Sequence, residues 1–571
     1  MRFEINARDG LARRGELELD GVVHGTPTIA FVDTWKHTAP KDGLKLRQSS
    51  LAKEGDIGIS PSGFSLSPHE GEPEIEVGYR GSPFAADVSE GGFAILDGVS
   101  GLSLDSRRFV DAIEAMKNRR LLKPAFCPVI GLPSRLAFLS YCGIDVFDSI
   151  PLIMAAENGQ YLNSDGAIPV DRIKELPCEC ASCAEGIADV KGLLKHNISV
   201  ATNELRLVRN HIALGTLREL VESRIRAETW QVQSLRVLDL EHSHLQEVHA
   251  PIKGARFTAS SKESLHRPDV ARWRRRLVDR YRRPDKADTL VLLPCSARKP
   301  YSISPSHRRF RDAIFNSGRA HAVHEVIVTS PLGLVPRELE LFYPARDYDI
   351  PVTGHWDRDE QAMVQELVRW LVESQRYKAI ISHLGSERDL VNEVVDDCID
   401  TSDGDPNARG SLSKLEDTVR EQAPNGGGGT RRRTRAADDL SSIARFQFGD
   451  AGDALTAGAS AAGRWPAMKI VRDGIQLGAV SHQRGMISMT LPGAAIVGSK
   501  DAYCVEIDDF LPKGNLFAIG VEDATDDIRI GDDAVIRHAG DVRAVGVARM
   551  TPVEMRAADR GEAVHIRHRA R

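Results

Sequence analysis

Apolar and polar positions change rhythm several times along this chain. Over residues 1–235, short apolar runs alternate with stretches of helical spacing. Four runs predict strands: Thr28–Asp33, Phe93–Gly98, Ala125–Gly131 and Gly143–Ser149. Two of them, FAILD and GIDVFD, end in an aspartate, placed either for chemistry at the end of a strand or to cap the helix that follows. Residues 236–287 are polar and transitional. From Asp288 a second alternation begins, with strands predicted at Thr289–Cys295, Glu325–Ser330 and Tyr377–His383 and helices at Ser306–Gly318 and Asp359–Gln375. In the last helix Met363, Val364, Leu367, Val368, Leu371 and Val372 fall on one face. Strands alternating with helices predict a doubly wound parallel sheet. Residues 406–464 read as linker and connecting segment. From Trp465 the pattern is mostly β, and Ile528–Met550 reads as two strands around a His538–Asp541 turn, as in a small barrel.

Length and composition sharpen this picture. A chain of 571 residues predicts about four domains. With 42% apolar and 27% charged residues it can bury a core and is not generally disordered. The net charge of −6 gives no overall basic field, so nucleic acid would have to be met by local patches. Met1–Leu17 has no apolar segment of the kind a secretory signal needs. Apolar runs such as Pro151–Ala156 are far shorter than a membrane span. The expectation is a soluble, cytoplasmic protein with no membrane partner.

Eight cysteines in this length do not form a disulfide scaffold, but three of them lie within six residues. Cys178, Cys180 and Cys183 give C-x-C-x2-C, which points to a structural Zn2+ site wanting a fourth ligand. His196 and His211, both on the following helical stretch, are the candidates.

A second constellation runs from Pro294 to His307. Cys295, Lys299, Tyr301, Ser304 and His307 gather a thiol, an amine, a phenol, a hydroxyl and an imidazole at the end of the strand LVLLPC. Open α/β sheets bind ligands at that position. Neighbouring cations should lower the Cys295 pKa and activate its thiol. Ser330 and His383 close the other two strands of this sheet and should face the same crevice, and Arg337, Glu338 and Asp347 could hold an amino acid's charged groups.

The segment Ala271–Lys286 carries eight Lys/Arg against two Asp, with Trp273 and Tyr281 interleaved. It has the composition of an RNA-contacting patch, or of a solvated amphipathic helix. Residues 402–436, with Gly426–Gly429 and the basic run 431–435, should be flexible.

Three regions together resemble one group of enzymes. GIDVFDS, NGQYL, PCECASC and KHN resemble the tRNA-guanine transglycosylases from their nucleophilic aspartate to their zinc site. By position Asp148 matches that nucleophile, Asp97 the other catalytic aspartate, and Cys178, Cys180, Cys183 and His196 the zinc ligands. The C-terminal segment from about residue 492, with Gly493, Gly531 and Gly546, looks like a PUA domain, a small RNA-binding barrel. The run P-C-x3-K-P-Y-x2-S-x2-H, Pro294 to His307, is similar to the signature of the archaeosine synthase family, archaeal paralogues of the transglycosylases.

The resemblance implies an α/β multidomain protein. It would hold a shortened TIM-barrel-like transglycosylase domain with a zinc subdomain (1–235), a doubly wound α/β domain (236–405) and a C-terminal β-barrel PUA region (465–571). The family's base-binding D-S-G-x-F-Q is here DGVSGL, and only 51 residues separate Asp97 from Asp148. The front domain should therefore keep a tRNA-docking role and have lost base exchange.

The reaction implied is addition of an amine donor, free lysine or in an older description glutamine, to the nitrile of 7-cyano-7-deazaguanine at position 15 in the tRNA D-loop. A radical-SAM partner would complete archaeosine. Catalysis would fall to Cys295, Lys299, Tyr301, Ser304 and His307, with Asp97, Asp148, Ser330, Arg337 and His383 around substrate. The PUA region and the 271–286 segment would grip tRNA. A homodimer stays open. The rival readings are a working transglycosylase using Asp148 and a non-catalytic tRNA-binding subunit.

Overall fold

The computed structural model describes residues 1–48, 51, 57–60, 63–66, 75–77, 92–96, 105–252, 257–352, 354–425, 430–481 and 484–571. The chain forms two compact units, Met1–Pro251 and Ile252–Arg571.

The first unit opens with an antiparallel sheet of Arg2–Asp9, Ala12–Leu19 and Val22–Thr26. Its main body is an eight-stranded sheet. The strands are β1 (Thr28–Val32), β2 (Leu44–Gln48), β3 (Ile57–Ser60), β4 (Gly63–Leu66), β5 (Ile75–Val77), β6 (Phe93–Ile95), β7 (Ala125–Phe126) and β8 (Val146–Asp148). Their spatial order, β4-β3-β2-β1-β8-β7-β6-β5, is chain order read around a ring whose first and last strands pair in parallel. That is the topology of a (β/α)8 barrel, with an antiparallel β3–β4 ladder as its one irregular pairing among the described strands.

Among the described residues, helices follow only the last three strands: α1 (Ser106–Arg120), α2 (Pro133–Tyr141) and α3 (Ile150–Glu157). Ile29, Ala94, Phe109, Phe138 and Phe147 belong to the core on its helical side. After the hairpin Gln160–Asn163/Gly166–Pro169 comes the long helix α4 (Val190–Leu214), started by Asp189 accepting from the Gly192 amide and ended by Gly215 in the left-handed region.

In the second unit a five-stranded sheet carries β9 (Thr289–Pro294), β10 (Val323–Thr329), β11 (Gly333–Pro336), β12 (Ala379–Ser382) and β13 (Cys398–Asp400) in the order β11-β10-β9-β12-β13. All pairs are parallel except β10–β11. Because β9 lies between β10 and β12, the chain reverses its winding there, which opens a crevice at the carboxyl edge. Helix α6 (Pro305–Asn316) packs on α8 (Arg409–Gln422), and α7 (Arg358–Gln375) on β11. Helix α7 starts in a capping box, Asp357 with Glu360, and buries Val364, Leu367, Val368 and Leu371.

Two expectations are overturned here. The basic segment is mostly α5 (Pro268–Arg280), and its rings are core. Trp273 is 1% exposed, donates to the Leu334 carbonyl at 3.0 Å and packs on Phe446; Tyr281 is 3% exposed. Neither ring can stack on a base. Arg274, Arg280 and Arg283 are spent on the carbonyls of Leu265, Gln447 and Gln375. The expected flexible linker is largely helical: α8 buries Leu415 and Val419, and α9 (Thr430–Phe448) buries Leu440, Ile443 and Phe446. Gly426–Gly429 lie outside the described residues, and Arg435 is held by Asp439 and by the carbonyls of His321 and Val323.

The C-terminal part has a four-stranded antiparallel sheet over 460–489 and a six-stranded sheet over 504–569. The anticipated hairpin is present as Asp533–His538 and Asp541–Ala548, with His538 opposite Asp541. Two of the glycines are required by close approach. A Cβ at Gly493 would lie 2.0 Å from the Leu477 carbonyl oxygen, and one at Gly546 2.3 Å from that of His565.

Candidate functional site

The thiol cluster stands on a short turn, Ala181–Ala184, facing α4. Cys178, Cys180, Cys183 and His196 offer four ligand atoms all within 4.8 Å of one another. His196 Nδ1 is 3.2 Å from Cys183 Sγ and 3.6 Å from Cys180 Sγ. Its Nε2 donates to the Leu162 carbonyl at 2.9 Å, which fixes the tautomer that turns Nδ1 toward the sulfurs. The imidazole also stacks on Tyr161. The three thiols and this oriented ring fit a tetrahedral metal ion. His211, 15 residues further along α4, is about 22 Å away by helical rise and bonds instead to Thr216.

At the end of β8, Asp148 is fully buried. Its carboxylate accepts from the Val129 amide at 2.6 Å and the Ile150 amide at 2.8 Å. Burial nevertheless raises its pKa to about 6. Val129 is held at a φ of +60°, where a β-branched residue is strained. The bond to Ile150 is the helix-capping role that competes with chemistry for any aspartate at a strand end. Asp97 lies outside the described residues.

The crevice of the second unit is a cleft open to solvent. Cys295 from the end of β9, Ser330 from the end of β10, Trp356, Asp357 and Glu360 from the start of α7, and Glu387 after β12 are among its lining residues. Two of the sequence candidates, Cys295 and Ser330, thus reach it. Ser330 donates to Glu360 Oε1 at 2.5 Å.

The Cys295 thiol is not activated as expected. Burial and the Glu387 carboxylate outweigh Lys299 and push its pKa up to about 11. The Lys299 ammonium sits over the Tyr348 ring, 4.1 Å from its centroid. A cation on that face is attracted by the ring quadrupole.

The other candidates lie outside the cleft lining and bond to groups within the protein. Tyr301 bonds to the Tyr348 hydroxyl and is buried. Ser304 caps α6 beside Ser296 at 2.7 Å and Ser306 at 2.9 Å. His307 is 0% exposed, and its Nδ1 accepts from Arg337 Nη2 at 2.8 Å. Burial and the Arg337 charge hold its pKa well below the ordinary imidazole value, so it is neutral. Arg337 does not face the crevice as a carboxylate binder. It is bound to Glu325 and Glu340, each at 3.0 Å. His383 donates from Nε2 to the Pro406 carbonyl at 2.9 Å, with Nδ1 2.8 Å from Thr401 Oγ1. Its pKa is pushed down to about 4 by burial. The sequence reading missed Glu387 and Trp356; the signal available was an acidic residue two positions beyond the strand-closing H-L-G.

Comparisons with known proteins follow this division. A family model described as Queuine tRNA-ribosyltransferase matches residues 83–229, a domain of unknown function matches 270–419, and a PUA domain matches 506–570. Archaeosine synthase subunit alpha of Methanosarcina acetivorans is 36% identical over 84% of this chain and 80% of its own. Archaeosine synthase of Haloferax volcanii is 34% identical over 99% of both chains. This chain belongs to the archaeosine synthase family. The tRNA-guanine(15) transglycosylase of Methanobrevibacter smithii is 30% identical over 46% of this chain and 40% of its own. Among the described residues no helix is long and apolar enough to cross a membrane.

Proposed function

We propose that this archaeosine synthase family member adds an amine donor, free lysine, to the nitrile of 7-cyano-7-deazaguanine at position 15 of tRNA, leaving an amidine that a radical-SAM partner converts to archaeosine. The observation that carries this reading is the cleft at the carboxyl edge of β9, β10 and β12, with Cys295 on its wall. The barrel's Asp148, by contrast, has both oxygens committed to backbone amides.

In this reading the chain's PUA region and barrel hold tRNA, and Cys178, Cys180, Cys183 and His196 hold a structural Zn2+ that braces the barrel unit. Cys295 Sγ adds to the nitrile carbon, and its thiol proton ends on the nitrile nitrogen, giving a thioimidate. A thiol with a pKa of about 11 arrives still carrying that proton. Lys299, the cation whose charge Cys295 feels, favours the negative charge that develops as the thiol adds. Ser330, fixed by Glu360, orients substrate. Tyr301, Ser304, His307, Arg337 and His383 act as positioning residues that hold the loop after β9 and the ends of β10 and β12.

The test is incubation of the purified chain with cyano-modified tRNA and labelled lysine, followed by nucleoside mass spectrometry. A lysine adduct is expected, and no release of labelled guanine from unmodified tRNA. Guanine release would restore the transglycosylase reading. Adduct formation only with a second protein present would restore the tRNA-binding-subunit reading.

A further inference from the structure

The cleft is rich in acid, yet most of that acid is already used. Asp357 accepts from the amides of Asp359 and Glu360. Glu360 accepts from the Asp357 amide and the Ser330 hydroxyl. Glu387 differs. The Trp356 indole N–H donates to its carboxylate, while its Oε2 is buried with no partner among the described residues. Leaving a buried carboxylate oxygen unpaired is costly in a folded chain, and the cost is recovered when a cationic donor arrives. The backbone aims the group there. Gly385 turns at a φ of +64°, and a Cβ on it would lie 2.1 Å from the Gly404 carbonyl oxygen. No other residue type fits that turn, which delivers Glu387 to the cleft two residues later.

We propose that Glu387 is the carboxylate that receives the ammonium group of the amine donor, takes a proton from it, and passes that proton to Cys295. The proposal rests on the nitrile-addition reading above and names its amine subsite. Glu387 and Cys295 line one cleft, and the thiol already feels the carboxylate's charge. Burial also raises the Glu387 pKa, which suits a proton acceptor working near neutrality. The other titratable groups around the cleft are Cys295, Asp357, Glu360, Lys262 and His355. Lys262 is engaged with Asp359 at 2.6 Å, so its charge is already answered outside the amine subsite.

The step balances without an external reagent. Glu387 takes one proton from the ammonium, leaving a neutral amine. The amine nitrogen attacks the thioimidate carbon, a C–N bond forms, and the C–S bond breaks. Sulfur leaves with the bonding pair and takes the proton from Glu387. One proton moves from the attacking nitrogen to the imine nitrogen, giving an amidinium and restoring both side chains.

The experiment uses the full chain, with E387Q and E387D beside the wild type. Binding of L-lysine and of L-norleucine, which lacks the side-chain amine, is measured by calorimetry, and adduct formation is followed from pH 6.5 to 9.5. E387Q is expected to weaken lysine at least tenfold while leaving norleucine unchanged. It should slow adduct formation about a hundredfold at pH 7, with recovery toward pH 9.5 as the free amine becomes available, and E387D should recover part of the loss. A purely structural role would lower the rate equally at every pH, and that result overturns the proposal. So does an E387Q protein that binds lysine and reacts within twofold of wild type; the nitrile-addition reading would then survive alone. If wild type forms no adduct but binds lysine through Glu387, the amine subsite stands and the nitrile-addition reading falls.

Discussion

Two strand ends in this chain look alike in sequence and differ in what their side chains have left to offer. Asp148 closes β8 and Cys295 follows β9, and both precede a helix. Asp148 is turned into the protein and has spent its oxygens on the Val129 and Ile150 amides. Cys295 opens onto a cleft beside a carboxylate with an unanswered oxygen. A strand's carboxyl end is a place where chemistry can sit. Whether it does depends on whether the polar atoms are already satisfied by backbone.

The largest effect that sharpens this comparison concerns the metal. Ligation of zinc by a site of this kind is worth on the order of 10 kcal/mol of folding energy. Chelation or C183A should therefore remove one metal equivalent and abolish the melting transition of the unit holding Asp148. The cleft unit should still bind lysine. Metal content and lysine calorimetry on the same sample decide it, and loss of lysine binding on chelation would break the separation between the two sites. Next in size is C295S. Removing a covalent nucleophile should slow adduct formation by about a thousandfold or more, with melting within about a degree of wild type. Full rate in C295S would remove the thioimidate and leave Cys295 as cleft lining.

How much of this was legible in the sequence varies with the kind of signal. The C-x-C-x2-C spacing locates the metal cluster, because thiolates so close have few other uses, and only the choice between His196 and His211 needed the fold. Strands β9, β10 and β12 were readable from their apolar cores LVLL, VIV and AII, while β2 to β5 were not, being three to five residues long and partly polar. Composition misled in α5, where Trp273 and the arginines looked like an RNA patch. Arginine serves equally well to satisfy carbonyls around a core, and sequence carries no record of which partner it meets. The P-C-x3-K-P-Y-x2-S-x2-H run points to the loop after β9 but not to which of its side chains reach the cleft, since burial of His307 beneath Arg337 is a tertiary fact. Glu387 was invisible because its role depends on an unpaired oxygen.

A smaller effect distinguishes the two units by pH. His383, at a pKa of about 4, stays neutral when folded over a range where an unfolded histidine is protonated. The unfolded state then binds more protons, so the cleft unit loses stability as pH falls from about 6.5 toward 4, by about 3 kcal/mol. Asp148 acts in the opposite sense. Its carboxyl takes a proton at about 6 when folded and near 3.9 when unfolded. The folded state binds more protons, so the barrel unit loses stability as pH rises from about 4 to 6, again by about 3 kcal/mol. Hydrogen exchange resolved by peptide and corrected for intrinsic rates should show the two slopes with opposite sign. H383Q should flatten one and D148N the other; slopes of the same sign in both units would contradict the burial assigned to these groups.

The smallest effect is the one aimed directly at Asp148. D148N keeps the shape but puts an amide NH2 against the N–H of Val129 or Ile150, where an acceptor is needed. A buried donor facing a donor costs about 1–3 kcal/mol, and here it also releases the bond that holds Val129 at its strained φ of +60°. At pH 4 to 5, where the buried wild-type carboxyl is protonated and carries no charge penalty, D148N should therefore melt a few degrees lower, while at pH 7 it forms the lysine adduct within twofold of wild type. The melting shift reports the capping role and the adduct rate reports chemistry, so the two can be read independently in one protein. If D148N instead melts like wild type and makes no adduct, the buried aspartate is part of the reaction, and the contrast between a sealed strand end and an open one does not describe how this chain works.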